Sequence, residues 1–334
     1  MLLQHFRRTA AIMALLVVSM ASPATRDAWA QAAWRPEKPV EIIVPTGAAG
    51  INDSNARLIQ KTLHEQKLTS VPVLVQNKAG GNQSLAVVYL NQHPGDPHYL
   101  FYATATLFTN QIAGVTPLHY KDFTPLALLL EDYTVVTVKA DSPLKTMRDL
   151  VERLKADPES VSFGVVARGG PNHLAVAQAM RSAGVDPKKL KLVVFKTNAE
   201  SIMAVIGGHV HAMVSSTSAA LPQVQAGNGR MLAVAAPQRG TGSLANVPTM
   251  REQGIEATGI SNWRIIFGAK GISAAQAAFW EDALAKVVSA PAWKQQLSDN
   301  NLESKFMRGR DLPRWLDGEY AATRAVMSDV GLIK

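Results

Sequence analysis

The sequence predicts an α/β protein made of two similar lobes with a cleft between them. Short apolar runs rich in β-branched residues alternate with segments whose apolar residues recur at helical spacing, which is typical of mainly parallel sheets. A unit of strand, small-residue loop and helix also occurs twice, and the two copies lie about 120 residues apart. Two lobes of the same design are the simplest architecture that explains this repeat.

The composition excludes several classes of protein. With 334 residues and 47% hydrophobic content, the chain has enough apolar material for one large domain or two medium ones. It contains no cysteine, which excludes disulfides, thiolate metal sites, iron–sulfur clusters and a cysteine nucleophile. Its net charge is +8, but the 34 Lys and Arg residues are spread along the chain, which argues against a nucleic-acid partner. We expect no cofactor and no metal site.

Residues 1–30 are predicted to be a cleaved signal peptide. A basic start with Arg7 and Arg8 precedes an apolar stretch over residues 9–20, and Ala28-Trp29-Ala30 forms an A-x-A cleavage site. A membrane anchor is the alternative, but this apolar stretch is shorter than the roughly 20 residues that a span requires. Cleavage leaves an exported chain with a net charge of +6, for which small anions are better matched partners than DNA.

The first lobe is predicted to contain three strands and two helices in alternation. The segments are strand 40–44, helix 53–68, strand 71–75, helix 84–91 and strand 99–103. In the first helix, Ala56, Ile59 and Leu63 recur at the spacing of one apolar face.

The second lobe repeats the plan. The segments are strand 161–166, helix 173–183, strand 191–195, a helix that ends at Gly207-Gly208, and strands 210–214 and 230–235. Turn-rich sequence at 141–143 and 247–249 marks places where the chain is able to pass between lobes.

The first candidate binding loop is Thr46-Gly47-Ala48-Ala49-Gly50, between the first strand and its helix. Small side chains leave its backbone amides accessible. The helix that follows adds unpaired N–H groups and a positive partial charge of roughly half an elementary charge at its N-terminus. This combination predicts an anion site, although a tight turn requires the same small residues. Asn52 or Asp53 is expected to cap the helix, and contact with a ligand is a secondary role for either.

The second candidate loop is Arg168-Gly169-Gly170, which precedes a helix that we expect to be capped by Asn172. A guanidinium beside exposed amides suits fork-like binding of a carboxylate, while a solvated surface arginine is the alternative. His173 is expected to pair with loop carbonyls rather than to act as a general base. Two such loops on facing lobes would hold a molecule with more than one carboxylate.

Hydroxyl groups follow two further strands. Thr104 and Thr106 lie just past one strand end, and Ser215 and Ser216 lie past another, so all four are candidates for the same cleft unless they are only polar loop residues. Arg264 beside Trp263 is expected to serve packing and an ion pair, although an arginine next to an indole can also face a cleft. Catalytic signatures such as G-x-S-x-G, H-E-x-x-H and G-x-x-x-x-G-K-[ST] are missing from the sequence.

A set of motifs along nearly the whole mature chain resembles a known family. In chain order they are Val40-Glu41-Ile42-Ile43-Val44-Pro45 with Ala48-Ala49-Gly50 and Asp53, Asn77-Lys78 with Gly80-Gly81, Ala167-Arg168-Gly169 with His173-Leu174, residues 204–210 with Gly207-Gly208, Leu221-Pro222 with Gln225-Ala226-Gly227, Val247-Pro248-Thr249, and Asn262-Trp263-Arg264. The chain is similar to the TctC (Bug-type) family, the extracytoplasmic solute-binding proteins of tripartite tricarboxylate transporters.

The resemblance implies a type II-like, two-lobed periplasmic-binding-protein fold with a ligand cleft between the lobes. Lobe 1 would comprise residues 31–133 and, after the chain returns, 258–334 with the C-terminal helices; lobe 2 would comprise residues 134–257. The loops at 45–53 and 167–173 would hold carboxylate through backbone amides and bridging water. The sequence departs from the family where Thr46-Gly47 replaces the usual aromatic residue and proline, and where Ala49 replaces glycine.

The implied function is periplasmic capture of a di- or tricarboxylate and its delivery to a membrane permease, without catalysis and by a monomer. Two alternatives remain open. In the first, the protein presents its ligand to a membrane sensor kinase. In the second, it is a secreted enzyme that acts on an organic acid. The sequence shows no acid/base or nucleophile pair for such an enzyme.

Overall fold

Two β-sheets organise the chain. The structure is a computed structural model that describes residues 34–257 and 260–333. The predicted signal peptide and its cleavage site lie outside the described residues. Within the described residues, no helix combines the length and apolar character that crossing a membrane requires.

The first part of the chain alternates strands and helices. The elements are β1 (Val40–Val44), α1 (Ile51–Glu65), β2 (Val73–Asn77), α2 (Ser84–Asn91), β3 (Tyr99–Thr104), α3 (Thr106–Ile112) and β4 (Thr124–Asp132). All but one residue of β1 are buried, because helices and loops cover both faces of its sheet.

The middle of the chain repeats this alternation. The elements are β5 (Thr134–Lys139), α4 (Met147–Ala156), β6 (Ser162–Val165), α5 (Pro171–Ser182), β7 (Lys191–Val194), α6 (Asn198–Ile206), β8 (Ala212–Ser216), α7 (Thr217–Gln225) and β9 (Gly229–Val234). Local capping sets the helix starts: Thr146 and Asp149 form a capping box at α4, and the Thr197 side chain accepts from the Glu200 amide at α6.

The last part of the chain adds strands to the first sheet. The elements are β10 (Asn262–Gly268), α8 (Ala274–Ser289), α9 (Pro291–Asp299), β11 (Glu303–Arg308) and α10 (Leu312–Asp329). The strand order is β11-β4-β10-β3-β1-β2 in the first sheet and β7-β6-β8-β5-β9 in the second. The chain changes sheets at Tyr133, the single residue between β4 and β5, and returns between β9 and β10.

The predicted α/β class with two sheets is confirmed, but the expectation of mainly parallel sheets is wrong. The strands β1, β2 and β3 are parallel, as are β6, β7 and β8. In contrast, β10 runs antiparallel to β3 and β4, and β5 runs antiparallel to β8 and β9. The antiparallel pairs arise because β4 and β5, and later β10, carry the chain from one sheet to the other.

The C-terminal helix α10 packs against both parts of the molecule. Near its start, Leu312 and Leu316 join a core that includes Trp263 of the first sheet. Near its end, Val326 and Met327 pack with residues of α5, and Arg181 of α5 forms an ion pair with Asp329 at 3.3 Å. The helix therefore spans from one sheet to the covering helix of the other.

Candidate ligand-binding site

A cavity of about 400 Å³ lies where the strand ends of the two sheets meet. Its lining residues come from both halves: Pro45, Thr46, Ile51, Asn52, Gly80, Asn82, Gln83, Thr104, Thr106, Asn262 and Arg264 from the first, and Val165, Val166, Ala167, Gly170, Pro171, Asn172, Lys196, Asn198 and Ser216 from the second. Thr104, Val165 and Ser216 are the last residues of β3, β6 and β8. Ligand sites in α/β sheets typically lie at such carboxyl ends.

Four helices of eight or more residues begin at this cavity. Ile51, Pro171 and Asn198 are the first residues of α1, α5 and α6, and Ser216 is the N-cap of α7. In the described structure, no side chain caps α1, α5 or α7 through a hydrogen bond. The Thr217 amide at the start of α7 donates to the Tyr133 carbonyl at 2.9 Å, and Pro171 at the start of α5 has no N–H. The other first-turn N–H groups of these helices are left for an acceptor, and each helix end carries a positive partial charge of roughly 0.5.

The loop after β1 is held by Asp53. Its carboxylate accepts from the Ala49 amide at 3.0 Å, from Asn77 Nδ2 at 3.0 Å and from Arg57 Nε at 2.8 Å. The hydrogen bond from Arg57 holds the pKa of Asp53 below its usual range. The expectation that Asn52 or Asp53 caps α1 is wrong, because Gly50 occupies the N-cap position and Asp53 reaches back to the loop instead.

The loop after β6 is held by His173. The Gly169 amide, at a positive φ of 81° that suits glycine, donates to His173 Nδ1 at 2.8 Å. Burial and the charge of Arg168 lower the pKa of His173 to about 4, so the ring is neutral. His173 does bond to its loop, but to an amide rather than to a carbonyl as the sequence suggested.

Two further expectations about this loop need correction or qualification. Asn172 does not cap α5, because Gly170 is the N-cap and Asn172 Oδ1 accepts from Thr134 Oγ1 at 2.9 Å. Arg168 is exposed and lies outside the cavity lining. Its role as a carboxylate ligand stays a prediction.

The floor of the cavity contains Arg264, whose side chain is buried by β10 and its neighbours. Its Nε donates to Asn52 Oδ1 at 2.8 Å, and its Nη1 donates to the side-chain and backbone oxygens of Asn262 at 2.7 Å. The ion pair expected for Arg264 is missing, since no carboxylate of the described residues lies within 4.0 Å of it. Arg264 thus brings a buried positive charge to the cavity.

Polar side chains complete the walls. Gln83 Nε2 donates to Thr104 Oγ1 at 2.6 Å, which fixes both on the side of the first sheet. Thr46 Oγ1 and Asn198 Oδ1 are buried but have no hydrogen-bond partner among the described residues. Such unsatisfied oxygens in a cavity wall are suited to a bound ligand or water.

The structure brings together only part of the predicted site. Lining residues among those predicted are Thr46, Asn52, Thr104, Thr106, Gly170 and Ser216. Outside the lining lie Gly47, Ala48, Ala49, Gly50, Asp53, Arg168, Gly169, His173 and Ser215. Ser215 and Ser216 belong to β8 itself, because this strand starts and ends two residues later than predicted. Several of the others act by shaping the two loops.

Sequence reasoning missed Lys196 and Asn198, and it gave Arg264 a place in the cleft only as the alternative to packing and an ion pair. Lys196 and Asn198 follow β7 just as the predicted loops follow β1 and β6. A signal was present, since Thr197 and Glu200 have the spacing of a helix-capping pair that marks the start of α6. For Arg264 the adjacent Trp263 was the local signal, but the partner that orients it, Asn52, is 212 residues away in sequence.

The lining is electropositive. It contains Lys196 and Arg264 but neither Asp nor Glu among the described residues that form it. The described residues also contain no cluster of three or more His, Cys, Asp or Glu side chains able to hold a metal ion. The arrangement can bind a small anion through amides, hydroxyls and two cationic side chains.

Two sheets, two chain crossings and a cavity at their facing strand ends define a two-lobed α/β fold of the periplasmic-binding-protein class. The chain belongs to the family described as the tripartite tricarboxylate transporter family receptor, TctC, whose model matches residues 55–332. The family suggested by the motifs is therefore confirmed.

Similar proteins support this assignment. The "UPF0065 protein in gbd 5'region" of Cupriavidus necator is 26% identical over 314 residues, which is 93% of each chain. A TctC solute-binding protein from Polaromonas has a TM-score of 0.73 at 25% identity, covering 88% of this chain and 99% of that one. MatC from Rhodopseudomonas palustris, solved with bound malate, has a TM-score of 0.74 at 22% identity, covering 87% and 99%; this last likeness concerns the fold alone.

Proposed function

We propose that the protein is a periplasmic solute-binding protein that captures a di- or tricarboxylate and delivers it to the permease of a tripartite transporter. The observation that carries this proposal is the convergence of four helix N-termini, Lys196 and Arg264 on a cavity without acidic lining. Carboxylates are stabilised by such termini and by cationic side chains. The predicted signal peptide supports a periplasmic location, and the family name supports delivery to a transporter.

The ligand would bridge the two halves. The amides at the start of α1 belong to the first half, and those at the start of α5, α6 and α7 belong to the second. A molecule with carboxylates at both ends therefore reaches a positive helix end on each side. We place the lobe boundaries at 133/134 and 257/258, so that closure is a rotation of residues 134–257 against the rest.

The ligand is bound and released without chemical change in this proposal. The buried histidine nearest the second loop, His173, is held neutral with Nδ1 engaged by the Gly169 amide, which does not suit a general base at that atom. The bound malate of MatC, a protein of similar fold, is a precedent for a small dicarboxylate in this architecture.

A panel of organic acids tests the proposal. Purified mature protein is heated with succinate, malate, glutarate, adipate, citrate and tricarballylate, and the dimethyl esters of succinate and glutarate serve as uncharged controls. At least one free acid is expected to raise the melting temperature and to be recovered unchanged by mass spectrometry, while the esters have no effect. Consumption of an acid would instead indicate an enzyme. No shift with any acid would contradict carboxylate binding.

A further inference from the structure

Arg264 is held rigidly without a charged partner. The residue is 6% exposed, and its side chain donates hydrogen bonds to oxygens of Asn52, of Asn262 and of the Trp263 carbonyl, all of them neutral. These bonds use Nε and Nη1. The Nη2 amino group has no hydrogen bond within the described part of the chain, although Arg264 lines the cavity.

A buried guanidinium without a counter-ion is costly unless something else supplies the negative charge. The carboxyl group of Asp132, which is itself buried, interacts electrostatically with Arg264. Its two carboxylate oxygens accept from the hydroxyls of Thr217 and Ser218 at 2.8 Å, and no nitrogen of Arg264 lies within 4.0 Å of them, so Asp132 acts on Arg264 only from a distance. The position therefore suits an anionic group that arrives with a ligand.

The positive charge of the cavity also exceeds what two carboxylates balance. Four helix ends contribute roughly 0.5 each, and Lys196 and Arg264 contribute a full charge each. The helix ends on the two halves are sufficient for two terminal carboxylates. Arg264 remains as an additional recognition point on the floor.

We propose that Arg264 is a specificity-determining residue, which binds a further acid group carried on the carbon chain of the ligand between its two terminal carboxylates. This inference rests on the proposed carboxylate-binding function. A guanidinium fixed on two sides offers its free edge to a carboxylate at little cost in side-chain entropy. The site would therefore prefer a branched tricarboxylate over the linear dicarboxylate of the same backbone.

Tricarballylate and glutarate test this proposal, because tricarballylate is glutarate with one more carboxylate on its central carbon. Calorimetry on the wild-type protein is expected to give about 10- to 100-fold tighter binding of tricarballylate, the range for one charge-assisted hydrogen bond. In Arg264→Gln this preference should fall to near one, with glutarate affinity changed less than about threefold. Arg264→Lys should retain part of it. The control Arg310→Gln, a change at an exposed arginine in the turn before α10, should behave as wild type.

The outcomes separate the inference from the proposed function. Equal binding of both probes by the wild type, or an unchanged preference in Arg264→Gln, would overturn the role of Arg264 while carboxylate binding stands. An equal loss of both probes in Arg264→Gln would also overturn it, since the arginine would then only position Asn52 and Asn262. The wild-type comparison needs no variant, so the test holds even where Arg264→Gln does not fold. Failure of every acid in the panel would reject the proposed function itself.

Discussion

Individual side chains near the cavity act mainly by holding the two candidate binding loops in shape. Asp53 ties the first loop to Arg57 and Asn77, and His173 ties the second through the Gly169 amide. Neither residue lines the cavity. In the proposed function, their role is to place backbone amides, which carry no sequence signature of their own, where a carboxylate would bind.

The titration of His173 is the first prediction at the residue scale. Its pKa in the folded protein is about 4, below the ordinary value of 6.5, so the unfolded chain binds the proton more strongly. The stability that depends on neutral His173 is complete above pH 6.5 and is lost as the pH falls toward 4. His173→Asn keeps an acceptor for the Gly169 amide but cannot titrate, so its free energy of unfolding should decline less over this interval, by about 2 kcal/mol.

Chemical denaturation between pH 4 and 7 measures this difference. His64→Asn, a change at an exposed histidine of α1, is the matched control and should follow the wild type. Nitrogen NMR of the wild type should place the ring proton on Nε2, because Nδ1 accepts from Gly169. Parallel declines for wild type and His173→Asn would show that His173 does not titrate as described.

At the scale of elements, the helix α10 brings the carboxyl group of Glu319 near that of Glu131, which lies close to the end of β4. Glu131 near the end of β4 is buried and bonded to Ser261 Oγ at 2.9 Å and to Lys305 Nζ at 2.8 Å. The negative charge of Glu131 acts on the carboxyl group of Glu319. Burial and the nearby Glu131 raise the pKa of Glu319 to about 7, with Lys305 opposing the shift.

This packing predicts that the free energy of unfolding decreases as the pH rises. Because the pKa of Glu319 is higher in the folded state than its ordinary 4.5, the folded chain binds the proton more strongly, and stability is lost as the pH rises from 4.5 through 7. Glu319→Gln should therefore be more stable than the wild type by about 1 to 2 kcal/mol at pH 8. The two proteins should unfold alike at pH 4.5, which serves as the internal control. Equal stability at both pH values would contradict the raised pKa.

At the scale of the whole molecule, the positive helix ends on the two halves face one cavity. In the proposed function they repel each other when the cavity holds no anion, and a ligand with carboxylates at both ends would remove this repulsion and bridge the halves. A ligand shifts such an equilibrium only by its difference in affinity for the open and closed states. Closure should thus depend on how many helix ends the ligand neutralises.

Small-angle scattering with saturating ligands measures this dependence. Glutarate should lower the radius of gyration more than pentanoate, which has the same carbon chain but one carboxylate. The same measurement on Arg181→Ala, which removes the ion pair of α5 with Asp329 of α10, tests whether the C-terminal helix limits closure. An equal decrease for both ligands, or none for either, would contradict the two-sided site.

The features that the sequence determined by itself depend on residues that are close together in the chain. The strand β1 and the helix α2 have the predicted bounds, and the loops that follow β1 and β6 were recognised because small residues and a helix start are neighbours in the chain. The family followed from motifs whose order is preserved along the chain. Helix starts were less accurate: α1 begins at Ile51 rather than at residue 53, because Gly50 takes the cap position.

Only the tertiary structure decided which charge reaches the cavity. Arg168, predicted to bind carboxylate because it stands in a glycine loop, is exposed and lies outside the cavity lining, so its role stays a prediction, whereas Arg264 is buried and lines the cavity. Asn52 orients Arg264 from 212 residues away, so no sequence window contains both. The sequence also did not reveal the antiparallel strands β5 and β10 or the partial burial of Glu319, since pairing partners and desolvation depend on segments that meet only after folding.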